Sequence, residues 1–354
     1  MARRVRRTNG PLDLREQAIL RAVIEEYVAS ANPVGSLALV ERYGLGVSSA
    51  TVRSILAELE AAGFLSHPHT SAGRVPTDLG YRYYVEAMVD TPPLTPVEQL
   101  MIRHQFGQVE FASEHWFRLA ATTLAGLTGA AGLATPAKAD AARVRRVDLV
   151  ATGERLAGLV LVLAEGSVRQ YLLPLEAPLG QRELDALAAR LNAAVVGRTA
   201  AEAAALVPLL MPSLEVERLA AQAVERIVAT LQESDAASVE DVFSEGLLNV
   251  MEAPEFAETE KLRRVFRVLQ DRAYLGGMVH DVTRAGGVRV YIGTENGPLE
   301  MHDVSLILAP YGRPGRATGV VGVLGPTRLA YPHAISTVRY VSGLMNELVD
   351  TLYA

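Results

Sequence analysis

Residues 44–76 read GLGVSSATVRSILAELEAAGFLSHPHTSAGRVP. Gly44-Leu45-Gly46 forces a tight turn, because glycine accepts the positive φ that other residues resist. A helix then starts at Ser48 or Ser49 and runs to Ala62. Its apolar stripe, Val52, Ile55, Leu56 and Leu59, has the i, i+3, i+4, i+7 spacing of one buried face. Gly63 ends it. Phe64-Leu65 reads as a short strand, Pro68 to Gly73 as a polar turn, and Arg74-Val75-Pro76 as the return. Upstream, Leu20, Val23, Ile24, Tyr27 and Val28 mark a first helix, with Asp13 as N-cap and Glu16 completing a capping box. Residues 36–43 form a second, shorter helix. Three helices, a glycine turn and a two-stranded ribbon make a winged helix-turn-helix.

The face opposite the stripe presents Ala50, Arg53, Ser54 and Ala57, with Ser49 and Thr51 at its margins. Small residues let such a helix sit deep in a major groove. Arg53 can meet a guanine edge with two hydrogen bonds, or a phosphate. Ser48, Ser49 and Thr51 can bind phosphate with hydroxyls and free amides. The plainer alternative makes Ser48 and Ser49 N-caps and Arg53 a solvated charge. The loop favours the first reading. His67, His69, Thr70, Ser71 and Arg74 lie in a run without an acid, suited to a phosphate backbone or a minor groove. The two histidines have no third ligand nearby, so no metal is expected.

The chain has 354 residues, 49% of them hydrophobic and 21% charged, which suits a multidomain globular protein. It contains no cysteine, which excludes disulfide scaffolds, thiolate metal sites and cysteine nucleophiles. Net charge is −6, so global charge does not advertise a nucleic-acid binder. No apolar run is long enough to span a membrane, and the basic start, Arg3, Arg4, Arg6 and Arg7, lacks the hydrophobic stretch of a secretory signal. A cytoplasmic protein without a membrane partner follows. The arginines either add phosphate contacts or form an idle solvated tail.

Asp90-Thr91-Pro92-Pro93-Leu94-Thr95-Pro96 is a stiff linker. Beyond it, 97–128 is helical, and strands are expected at 144–150, 156–163 and 168–173, followed by a helix at 181–194. Residues 199–277 show only helix-like stretches. Further strands follow at 288–292, 304–308 and 319–324, and a last helix carries Ile335, Val338, Val341, Met345, Leu348 and Leu352. Strands flanking a helical block suggest an α+β multidomain chain, one domain of which is interrupted by a helical insertion. The divisions fall at 1–90, 91–198, 199–280 and 281–354. The 199–280 insertion, rich in Ala, Leu and Val, is the expected self-association surface; 97–128 is its rival.

Two features can suggest an enzyme. Glu295, Asn296, Glu300, His302 and Asp303 form a polar cluster able to bind a metal or do acid–base work, or simply a solvated loop turning at Asn296-Gly297-Pro298. Gly315, Gly319, Gly322 and Gly325 lack the following Lys-Ser/Thr of a phosphate-binding loop and read as strand ends and close packing. Neither predicts catalysis, and no cofactor is expected.

The run Leu45-Gly46-Val47-Ser48-Ser49-Ala50-Thr51-Val52-Arg53 resembles the recognition-helix start of the heat-inducible transcription repressor family HrcA. So do Pro68 to Asp78 with Gly80-Tyr81-Arg82-Tyr83-Tyr84, and, near the end, Gly293, Glu295-Asn296, Ser305-Leu306 and Gly322 to Arg328. The resemblance implies a dimeric repressor of chaperone operons that binds double-stranded operator DNA at an inverted repeat called CIRCE. It further implies an N-terminal winged helix, a GAF-like domain with a helical dimerising insertion, and the chaperonin GroEL as partner. Ser54 and Ile55 depart from the family's Asn and acid; Asn reads adenine with two bonds and Ser does not. The alternative is a regulator whose GAF-like domain binds a small metabolite.

Overall fold

The computed structural model describes residues 12–68, 73–108, 113–137, 141–164, 166–206, 215–236, 242–256, 259–313 and 317–352. The first helix, α1 (Leu14–Ser30), starts where its sequence says it should. Asp13 Oδ1 accepts from the amides of Arg15 and Glu16 at 2.9 and 2.8 Å, and the Glu16 carboxylate accepts from the Asp13 amide at 2.7 Å. α2 (Ser36–Tyr43) ends at Gly44, and Gly46 follows; both are left-handed, at φ 55° and 65°. That reversal sets α3 (Ser49–Ala61) across α1, with Val52, Leu56 and Leu59 buried between them. β1 (Leu65–Ser66) and β2 (Val75–Pro76) pair antiparallel.

A fourth helix, α4 (Asp78–Ala87), belongs to this unit, where the sequence reading gave three. Thr77 starts it: its Oγ1 accepts from the Gly80 amide at 3.1 Å and donates to the Gly63 carbonyl at 2.6 Å. The residue that caps α4 thus also ties it to the end of α3. After the linker come α5 (Pro96–Gly107), capped by Thr95 and Glu98, and α6 (Ser113–Thr128).

Two sheets organise the remainder. The larger has five strands in the order β7-β3-β10-β9-β8, formed by β3 (Ala131–Ala134), β7 (Phe243–Glu245), β8 (Arg289–Ile292), β9 (Val304–Arg313) and β10 (Ala317–Pro326). Every pairing in it is antiparallel. α6 and α13 (Tyr331–Leu352) cover one face, and α10 (Leu247–Met251), α11 (Thr259–Leu269) and α12 (Arg272–Ala285) the other. Along β9, Ile307, Ala309 and Tyr311 join the core under α6 and α13, while Leu306 and Leu308 join the core on the opposite face. Burial on both faces is why β9 reads as a nearly continuous apolar run. The core beneath α13 is continuous with that of α1, α3 and α4.

The smaller sheet has three strands in the order β4-β5-β6, from β4 (Val144–Gly153), β5 (Leu156–Leu163) and β6 (Val168–Pro174). α7 (Gln181–Val195), α8 (Ala200–Ala204) and α9 (Glu215–Ala236) enclose with it a separate core of Val147, Leu159, Leu161, Leu187, Leu191, Val224 and Ile227. Asn192 staples helix to sheet, accepting from the Val147 amide at 2.9 Å and donating to the Val147 carbonyl at 2.6 Å.

These sheets correct the layout expected from sequence. The strands at 144–174 do not share a sheet with those near the C-terminus, and 199–280 is not one helical block. α8 and α9 serve the three-stranded unit; β7 and α10–α12 serve the five-stranded sheet. Periodicity finds strands but does not say which strands pair. β3, Ala-Gly-Leu-Ala, has little β propensity and escapes it altogether. Because Ala134 lies opposite Phe243, the three-stranded unit loops out between two neighbouring strands.

Candidate nucleic-acid interface

Ser48 is the N-cap of α3, accepting from the Thr51 amide at 3.2 Å, with the Thr51 hydroxyl 3.0 Å away. Ser49 Oγ lies 2.9 Å from Ser36 Oγ and so joins the first turns of α2 and α3. Both hydroxyls therefore have structural work. Ala50, Arg53, Ser54 and Ala57 are exposed on one face, and Thr51 is half-buried at its edge. Arg53 is the longest side chain there. No carboxylate among the described residues engages it.

The ribbon is held more firmly than its sequence implies. Glu60, on the last turns of α3, takes both His67 Nδ1 and Arg74 Nη2, the latter at 2.6 Å. The Arg74 backbone pairs with Val34, amide to carbonyl in both directions, at 2.8 and 2.9 Å. An acid missing from the loop is supplied by the helix, so His67 and Arg74 fix the ribbon against α3. His69, Thr70 and Ser71 lie outside the described residues, as do the four arginines at the start of the chain. Sequence reasoning missed Glu60; its position one turn before the terminating Gly63 is the signal that could have found it.

α4 carries this unit onto the five-stranded sheet. Arg82 Nε donates to Glu295 Oε1 at 2.8 Å, and its Nη2 donates to Glu295 and to the Val290 carbonyl, the latter at 2.7 Å. Asp78 Oδ2 accepts from the amide and the hydroxyl of Thr294, both at 2.9 Å. Gly293 has φ 52°, and a Cβ there would fall 2.3 Å from an Asp78 carboxylate oxygen, so only glycine allows this approach. The hydrogen-bonded Glu295 carboxylate raises the Arg82 pKa above its ordinary range, against the opposing effect of burial. Arg328 adds a contact, with Nε 2.5 Å from Glu255 and Nη1 donating to the Val28 carbonyl of α1 at 3.4 Å.

The polar cluster considered for catalysis is divided among structural partners. Glu295 serves Arg82. Asp303 pairs with Lys261 at 3.2 Å. Asn296 is buried and donates to the carbonyls of Gly293 and Val304 at 2.9 Å, holding its own loop. Among the described residues no group of three or more His, Asp or Glu is placed to hold a metal ion, and no helix is long and apolar enough to cross a membrane. Gly319 and Gly322 lie inside β10, where a Cβ would meet the Tyr311 ring at 2.5 Å and the Ile307 carbonyl at 2.2 Å. They serve close packing. Gly315 lies outside the described residues.

Known proteins resemble this chain along nearly its whole length. The family model described as HrcA protein C terminal domain matches residues 114–335. A protein of Roseiflexus castenholzii named heat-inducible transcription repressor HrcA is 42% identical over 348 residues, covering 96% of this chain and 95% of that protein. A Chloroflexus aurantiacus protein of the same name is 41% identical over 359 residues, covering 98% and 96%. A solved crystal structure of a hypothetical protein superposes with a TM-score of 0.61 at 23% identity, covering 96% of this chain and 99% of that one. That likeness concerns the fold.

Proposed function

The chain belongs to the HrcA family and is accordingly a transcriptional repressor of heat-shock genes, not an enzyme; from that premise we propose that α1–α4 with the β1–β2 ribbon form a winged helix-turn-helix that reads one half of an inverted-repeat operator of the CIRCE type. α3 enters the major groove. Arg53 reads a base edge, Ala50, Ser54 and Ala57 give the clearance to do so, and the first turn of the helix, with the hydroxyls of Ser48, Ser49 and Thr51, faces phosphate. His67, His69, Thr70, Ser71 and Arg74 form the wing. The observation that carries this reading is the exposed small-residue face of α3 with one long cation standing on it.

An inverted repeat calls for a two-fold assembly. The three-stranded unit, 142–236, is the surface proposed for a homodimer. Its sheet exposes Val150, Leu156, Val168 and Leu172, and its β6 edge pairs with no further strand among the described residues. The five-stranded sheet is the GAF-like domain. The chaperonin GroEL keeps the protein in its DNA-binding form in the cytoplasm, where operator and chaperonin both reside.

The test is a gel shift on an inverted-repeat promoter of a chaperone operon. A shift that a repeat scrambled in one half-site does not give supports the reading; equal affinity for both refutes it. Mild heating should abolish the shift, and chaperonin with ATP should restore it, unless that chaperonin is first loaded with another unfolded protein.

A further inference from the structure

α13 presents Ser336, Arg339, Tyr340, Gly343, Leu344 and Glu347 along one side, at the i, i+3, i+4, i+7, i+8, i+11 spacing of a single helical face. Facing it are the linker residues 91–94 and Arg103 of α5. A cavity of about 380 Å³ lies between them.

Its floor is apolar, with Leu94 and Leu344 both buried. Set into that floor is Ser336, 5% exposed, whose Oγ has no hydrogen-bond partner among the described residues. Neighbouring hydroxyls of the same helix are satisfied: Thr337 donates to the His333 carbonyl at 2.8 Å and Ser342 to the Pro310 carbonyl at 2.7 Å. An orphaned buried hydroxyl is unfavourable, and Ser336 is one of the residues that line this volume. Two guanidiniums stand at the exposed mouth. Arg103 Nε donates to Tyr340 Oη at 3.0 Å, and Arg339 Nη1 donates to Thr91 Oγ1 at 2.9 Å. Each guanidinium has five donors, so these bonds leave others for an anion. Glu347 is the one carboxylate in the lining against two cations, so the lining is net positive. Gly343 meets nothing within 4 Å where its Cβ would be. A helix interior disfavours glycine, and no close neighbour requires one at this position; its effect is to widen the cavity.

We propose that this cavity binds a small organic acid carrying a second polar group, a hydroxy or oxo carboxylate. The carboxylate sits on Arg103 and Arg339, the apolar body lies against Leu94 and Leu344, and the hydroxyl or oxo group meets Ser336. Such an occupant touches the linker between the DNA-binding unit and the rest of the molecule, which gives the repressor a chemical input besides temperature. The site stands on its own geometry and is tested without DNA.

The full chain is melted with 4-hydroxyphenylacetate, 4-hydroxyphenylpyruvate or 2-oxoisocaproate at millimolar concentration. At least one acid should raise Tm by roughly 2–4 °C, while its amide and inorganic phosphate should not. Gly343→Leu, which fills the cavity from an open helical position, should abolish the shift. Arg339→Gln should reduce it and Ser336→Ala should weaken affinity about tenfold; these two keep the proposal open to refutation if the leucine variant fails to fold. The proposal is overturned if none of the acids stabilises the wild type, if the shift survives in Gly343→Leu, or in its absence in both other variants, or if amide or phosphate stabilises equally.

Discussion

Arg53 and Tyr331 show two ways in which one residue can matter here. Arg53 is exposed on the face of α3 opposite Val52 and Leu56, so its removal leaves the core intact. Arg53→Ala should weaken specific operator binding by about 1–3 kcal/mol and relax preference at one base pair per half-site. Gel shifts with single-base operator variants check this; unchanged affinity with an intact fold would exclude a reading role. Tyr331 is fully buried, donating to the Thr327 carbonyl at 2.7 Å with Ser305 Oγ 2.8 Å away. Burial raises its pKa well above the ordinary 10.0. Tyr84 is pushed up to about 12, by burial first and then by the Glu25 charge. A phenol held neutral in the fold contributes stability that is complete below pH 10 and lost as pH rises toward the folded value. Melting temperature should therefore fall above pH 10, and the fall should be shallower in Tyr84→Phe; parallel curves would contradict this. The exposure of Arg53 was legible in sequence because a helical period puts it off the stripe of Val52, Ile55, Leu56 and Leu59. The burial of Tyr331 was not, since its partners come from separate turns and strands.

At the scale of elements, the ribbon and α3 act as one piece through Glu60. Glu60→Ala should release the Arg74 guanidinium, and with it the His67 ring, toward a bound phosphate backbone. The plot of log K against log salt should then steepen, by up to about 1 for the Arg74 charge; an unchanged slope means that it remains sequestered. Loss of these partly exposed pairs should cost only about 0–1 kcal/mol each in stability. The first three helices of this unit were legible because their caps are local: Asp13 with Glu16, Ser48 with Thr51, Gly44 and Gly46 at the turn. Where a partner came from elsewhere, the sequence was silent. Glu60 reaches the ribbon across a turn, and the Thr77 bond to Gly63 spans 14 residues. The cluster around Glu295 looked like chemistry because its partner, Arg82, lies 213 residues away in the chain.

The described residues form three cores and one latch. Asp78 and Arg82 on α4, closed on Gly293, Thr294 and Glu295, fix the N-terminal unit to the five-stranded sheet. Glu295→Gln weakens the charged half of that latch, and limited proteolysis should then cut the linker at 91–95 faster while the cores stay folded by circular dichroism. An unchanged cutting rate would show that the shared apolar core holds the units together unaided. Excising 142–236 and joining its ends by a short turn should leave a folded monomer; a dimer in sedimentation would place the interface elsewhere. The five-stranded sheet also sets a schedule for synthesis. Thr135 leaves the ribosome 185 residues ahead of Val320, to which it is bonded in the finished sheet. At roughly 5–20 residues per second the delay is about 10–40 s. Throughout it β3 has no β10 to lie against, the three-stranded unit emerges and closes by itself, and the apolar underside of α6 waits uncovered. Each new copy of this repressor therefore passes through an interval in which apolar surface waits for residues of its own chain that have yet to be made.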